Sequence, residues 1–73
     1  MFEKIREIIA EQMNVSVDDI SLETRLIEDL KADSIDAAEM ILNIESELDV
    51  LVPDDAIMNV QTVEDIVKIL ENL

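Results

Sequence analysis

The 73-residue chain contains no cysteine, histidine, glycine, tryptophan or tyrosine, and only one proline and one phenylalanine. Without Cys or His there can be no disulfide, no thiolate nucleophile, no Cys/His metal site and no imidazole base working near neutral pH. A small domain without staples must be held by packing alone. With 0 Gly and 1 Pro the chain has few breakers, so its composition favours helices. Cations are also scarce: 5 Lys+Arg stand against 19 Asp+Glu, for a net charge of −14. A surface so acidic repels nucleic acid and anionic membranes and attracts basic protein surfaces. It also repels itself, which predicts a monomer of modest, salt-dependent stability. No apolar run approaches the roughly 20 residues that cross a bilayer. The opening MFEKIREIIAEQM spreads charges through its length, unlike the apolar stretch of a signal peptide. These features predict a cytoplasmic protein with no membrane segment.

What is present is apolar: 49% of the residues are hydrophobic, which argues against disorder. The length predicts one domain, residues 1–73, burying about 60% of the surface it exposes when unfolded. At about 100° per residue, Phe2, Ile5, Ile8, Ile9 and Met13 share one face of a first helix, Phe2 to Met13. Glu3, Lys4, Glu7 and Glu11 fall on the other. A last helix is predicted from Val63 to about Asn72, capped by Thr62, with Glu64 and Asp65 in its first turn. Val63, Ile66, Val67, Ile69, Leu70 and Leu73 make its apolar face. From Asn14 to Asp33 runs a long connection, pinned at intervals by Val15, Val17, Ile20, Leu22, Leu26, Ile27 and Leu30, with room for one helical turn. Val15 and Val17 alternate like a strand that has nothing to pair with. A short helical turn is expected after Pro53, from Asp54 through Met58.

The middle helix, Ser34 to Leu48 with Asp33 or Ser34 as its cap, is the informative segment. Ala37, Met40, Ile41, Ile44 and Leu48 form an arc of about 100°, enough to face a core. Ile35, Ala38 and Leu42 form a second apolar strip, flanked by Glu39 and Glu45, with Asp36 and Asp49 near its ends. Such a strip suits either docking of a basic partner or contact with the long loop or the short helix, and periodicity leaves both open. Ser34 is not expected to be a catalytic nucleophile, because no base is available and Lys31 is surrounded by acids. It fits a capping residue, or a hydroxyl modified by another enzyme, since a helix N-terminus favours an attached phosphate. Asp29, Asp33 and Asp36 lack the central Gly and closing Glu of a calcium loop, with Met40 at the twelfth position, so no metal site is predicted.

The run Glu28-Asp29-Leu30-Lys31-Ala32-Asp33-Ser34-Ile35-Asp36 resembles the E-D-L-G-A-D-S-L-D signature of acyl carrier proteins. Asn14-Val15, Ile44-Glu45-Ser46-Glu47-Leu48-Asp49, Val52-Pro53-Asp54-Asp55 and Thr62-Val63 extend the likeness over almost the whole chain. The resemblance implies an all-α, four-helix bundle with a long first loop and a short third helix. It implies that Ser34 carries 4′-phosphopantetheine, installed from coenzyme A by a phosphopantetheinyl transferase with magnesium. The terminal thiol of that arm would hold acyl chains as thioesters, which supplies thiol chemistry to a chain with no Cys. Asp33 would help to engage the transferase. Ile35, Asp36, Ala38, Glu39 and Leu42, with Glu45 at the margin, would face basic surfaces on fatty acid synthesis enzymes. Met40, Ile41, Ile44, Leu48, Ile57 and Val60 would line the core that receives the acyl chain. No catalytic residue is implied.

The chain departs from that pattern at four places. Lys31 replaces the usual Gly and Ile35 the common Leu. Leu48 stands where Phe is usual, and Ile57 where a small residue is usual, so the last two are expected to compensate in volume. Ala32-Asp33-Ser34-Ile35-Asp36 is closest to carriers of dissociated fatty acid synthesis. The alternatives are D-alanine, polyketide or peptidyl carriers, with Leu48-Asp49-Val50-Leu51-Val52-Pro53 pulling mildly towards the D-alanine type. An unmodified helical interaction module, with Ser34 only a cap, is the alternative from another class.

Overall fold

The computed structural model describes all 73 residues. Four helices follow one another: α1 (Phe2–Met13), α2 (Ser34–Leu48), α3 (Asp54–Ile57) and α4 (Val63–Glu71). α1 packs against both α2 and α4. The apolar stripes meet as their spacing requires. Ile5, Ile9, Met40, Ile44, Val63 and Ile66 are fully buried at the centre. Phe2 and Met13 are half-buried against that centre. Leu73 is the exception: it lies beyond the end of α4 and is exposed, so helical spacing overextends the face by one residue.

Both long interior helices end in the same way. Asn14 and Asp49 take left-handed backbone angles, and their N–H groups donate to the carbonyls of Ala10 and Glu45. Asn and Asp tolerate that region, and here they do the terminating work that glycine usually does.

The long connection is tied down by fewer residues than its sequence suggests. Ile20 and Leu26 are buried, whereas Val17, Leu22 and Ile27 are exposed. Its helical turn is a 3₁₀ turn at Val17–Asp19, capped by the Ser16 hydroxyl, which accepts from the Asp18 N–H. Arg6 Nε donates to the Val17 carbonyl at 2.6 Å and fastens this turn to α1. Extended pairing does occur, but later in the loop. Arg25 and Thr62 form an isolated antiparallel bridge. The Leu26 N–H donates to the Gln61 carbonyl and the Val63 N–H to the Thr24 carbonyl, each at 3.0 Å. The loop therefore borrows its partner from the approach to α4. Thr24 is buried, and its hydroxyl accepts from the Ser21 N–H at 2.8 Å. No buried side-chain polar atom lacks a hydrogen bond, as expected of a core that cannot tolerate stranded polar groups.

α1 and α2 run antiparallel and are stitched by one side chain. Gln12 donates to the Asp36 carbonyl at 3.0 Å and accepts from Asn43 at 2.7 Å. This joins the end of α1 to both the first turn and the later half of α2 and fixes how the head of α2 is presented.

Candidate prosthetic-group site

The head of α2 is built by a reciprocal pair of acids. Asp33 is extended, and its carboxylate accepts from the Asp36 N–H at 2.8 Å. The Asp36 carboxylate reaches back to the Asp33 N–H at 3.2 Å. This capping box satisfies two N–H groups that a helix start otherwise leaves bare, and it places negative charge where the helix dipole favours it. Asp33, not Ser34, is thus the cap. Ser34 is the first helical residue and is exposed. Its hydroxyl is not consumed by capping, so it is available to chemistry brought by another molecule.

The segment leading to Ser34 is held from below. Ala32 is buried, and its N–H donates to the Leu26 carbonyl at 3.0 Å. Glu28 and Asp29 are both turned to Arg25, with ion pairs at 2.6 and 3.5 Å. Asp29 also accepts from the Arg25 backbone N–H at 2.8 Å. That hydrogen bond, helped by the guanidinium, holds its carboxyl below the usual range. Lys31 takes φ 62°, in the left-handed region that favours glycine. Periodicity carries no signal for that conformation, although the glycine of the resembling motif does.

The two apolar strips of α2 have different surroundings. Met40, Ile41 and Ile44 are buried, and Leu48, Ile57 and Val60 pack half-buried against them. Ile35 is 68% and Leu42 62% exposed, and Ala38 and Glu39 between them are exposed too. Neither the long loop nor α3 covers this strip. Glu45 differs from its neighbours at the margin. It is half-buried, and its carboxylate accepts from the Val52 N–H at 2.7 Å, so it ties the α2–α3 connection to α2. Leu51 and Met58, which the sequence pattern did not single out, are also exposed. A cleft of about 520 Å³ between α1 and α2 is lined by Lys4, Glu7, Glu11, Asn43 and Glu47, with Ile8 its one hydrophobic residue. Its lining suits water rather than an acyl chain.

The residues that meet at Ser34 can bind, cap and present. The Ser34 hydroxyl is thus exposed at a helix start whose cap and negative charge come from Asp33 and Asp36. A family profile described as the phosphopantetheine attachment site matches residues 3–70. The chain is 37% identical over its whole length to the acyl carrier protein of Sulfurovum sp., covering 97% of that protein. It is 43% identical over 68 residues to the acyl carrier protein of Clostridium perfringens, covering 93% of this chain and 90% of that one. A Mycobacterium tuberculosis chain assigned as an acyl carrier protein shares the fold, with a TM-score of 0.90 at 24% identity, covering 97% of this chain and 95% of that one. The chain belongs to the acyl carrier protein family, a family of non-catalytic carriers whose cofactor is covalently attached 4′-phosphopantetheine.

Proposed function

We propose that Ser34 is the attachment point and that residues 1–73 work as one acyl carrier domain of dissociated fatty acid synthesis in the cytoplasm. The observation that carries this reading is the exposed hydroxyl at the first helical position of α2, left free because Asp33 takes the cap. A phosphopantetheinyl transferase would join the Ser34 oxygen to the phosphate of the arm and release adenosine 3′,5′-bisphosphate from coenzyme A. The serine proton would pass to a base on the transferase, since this chain has none placed for it. Once attached, the arm supplies a thiol that holds acyl groups as thioesters.

The exposed strip of Ile35, Ala38 and Leu42, edged by Asp36 and Glu39, supports docking on partner enzymes. An apolar centre ringed by acids is complementary to an apolar centre ringed by Arg and Lys. Glu45 is a weaker member of this face, because its carboxylate is already engaged by Val52. The buried arc of Met40, Ile41 and Ile44, with Leu48, Ile57 and Val60 half-buried around it, supports a core that opens to take an acyl chain. It is aliphatic and free of side-chain hydrogen bonds that would resist parting.

Offering the holo protein both chemistries tests the pathway. Malonyl transfer from malonyl-coenzyme A by a dissociated-type malonyl transferase is expected, with no charging by a D-alanine ligase supplied with ATP. Charging with D-alanine in place of malonyl would overturn the fatty-acid assignment.

A further inference from the structure

Three residues take a positive φ: Asn14 at 57°, Lys31 at 62° and Asp49 at 55°. Asn14 and Asp49 close α1 and α2, and their short polar side chains suit the left-handed region. Lys31 has neither reason to be there. No helix ends at it, and a long side chain gains nothing from that conformation. An outlier of this kind points towards function when the surroundings maintain it. Here the buried Ala32 that follows maintains it, through the bond from its N–H to Leu26.

Charge supplies a second, independent observation. Arg6 pairs with Glu3 and Asp18, Arg25 with Glu28 and Asp29, and Lys68 with Glu64. Lys4 and Lys31 are left without an ion pair in a chain with 19 acids. The acids nearest Lys31 in sequence are occupied. Asp29 belongs to Arg25, and Asp33 and Asp36 are bound to each other's backbone N–H groups. Lys31 contributes only the smallest of the pulls that lower the Asp29 carboxyl, and its ammonium group, three residues ahead of Ser34 in sequence, has no ion pair of its own. Three peptide units limit the separation of the two Cα atoms to about 11 Å. That is within the combined reach of a lysine side chain and a phosphate on serine. Ser34 itself belongs to the start of α2, whose first N–H groups have no intrahelical partner.

We propose that Lys31 is the counter-ion of the phosphodiester that joins the prosthetic arm to this chain, its ammonium group donating to a non-bridging phosphate oxygen. The proposal rests on Ser34 being the attachment point. Lys31 is then a positioning residue: it fixes the root of the arm, and an ammonium group without an ion pair in the apo protein gains one on modification.

The test compares thermal midpoints of apo and holo protein for the wild type, Lys31→Gln, Lys31→Arg and Lys4→Gln, with the modified residue located by intact mass and peptide mapping. Lys31→Gln keeps the backbone strain and removes the charge. Lys4→Gln makes the same change of net charge on α1, beside Ser46 and Glu47 at the other end of α2. At about 0.1 M salt, modification is expected to raise the midpoint by roughly 2–5 °C more in the wild type, Lys31→Arg and Lys4→Gln than in Lys31→Gln. The excess is expected to vanish at about 1 M salt, where the screening length is about 3 Å. Equal increments in all four proteins would overturn the role of Lys31 while leaving Ser34 as the site. Equal losses in Lys31→Gln and Lys4→Gln would reduce the effect to net charge and overturn it likewise. Modification elsewhere than Ser34, or none, would instead overturn the attachment site, and the Lys31 pairing with it.

Discussion

At the scale of single residues, the head of α2 separates two tasks that one serine could have combined. Asp33 and Asp36 hold the helix start, and Ser34 carries no structural duty there. Asp33→Ala is therefore expected to cost about 1 kcal/mol of stability. Ser34→Ala is expected to stay within about 0.5 kcal/mol of the wild type. Denaturant titrations of the two apo variants check both values, and a Ser34→Ala loss as large as that of Asp33→Ala would mean that the serine is part of the cap. Lys31 is the converse case, a residue whose backbone is strained. Lys31→Gly relieves a left-handed conformation costing about 1–2 kcal/mol against a glycine entropy penalty of about 0.5–1 kcal/mol. The apo variant is expected to be more stable by about 0.5–1 kcal/mol on the same titrations.

At the scale of elements, helix spans were legible in the sequence because long apolar stripes and Asx or Thr caps speak locally. The starts of α2 at Ser34 and α4 at Val63 follow from their caps, Asp33 and Thr62. What was not legible depends on contacts between distant segments. Nothing local says that Arg25 will bridge to Thr62, or that Glu45 will turn to the Val52 N–H. The status of the Ile35–Leu42 strip was equally hidden, since periodicity identifies a second apolar face without saying whether a neighbour covers it. Lys31 was seen to replace a glycine, yet its adoption of the glycine-like conformation is a property of the fold around Leu26 and Ala32. The cap of α4 gives a prediction at this scale. Asp65 accepts from the Gln61 and Thr62 N–H groups at 2.9 and 3.0 Å. The Gln61 bond first, and then Thr62, lowers its pKa from the ordinary 3.8. A carboxyl whose folded pKa is depressed adds stability that is full above 3.8 and is lost as pH falls through the lowered folded value. Asp65→Ala is accordingly expected to cost about 0.5–1 kcal/mol at neutral pH. The difference from the wild type should close below pH 3.8, as acid titration of both proteins would show.

At the scale of the whole molecule, a thin aliphatic core is opposed by a net charge of −14. Three of the five cationic side chains form ion pairs, each with an exposed acid, and such pairs contribute little each. Added salt or magnesium is therefore expected to raise the thermal midpoint by screening acid–acid repulsion. A flat or falling midpoint in a salt series would show that acid crowding does not limit stability. No helix is long and apolar enough to cross a membrane.

The central claim is that this fold exists to present Ser34 for modification. The most direct measurement is intact mass before and after incubation with coenzyme A, magnesium and a promiscuous phosphopantetheinyl transferase, with Ser34→Ala in parallel. The account predicts that the folded wild-type apo protein gains the mass of one phosphopantetheine and that folded Ser34→Ala gains none. A folded, unmodified wild type that gains nothing, or a Ser34→Ala variant that gains the same mass, would contradict it.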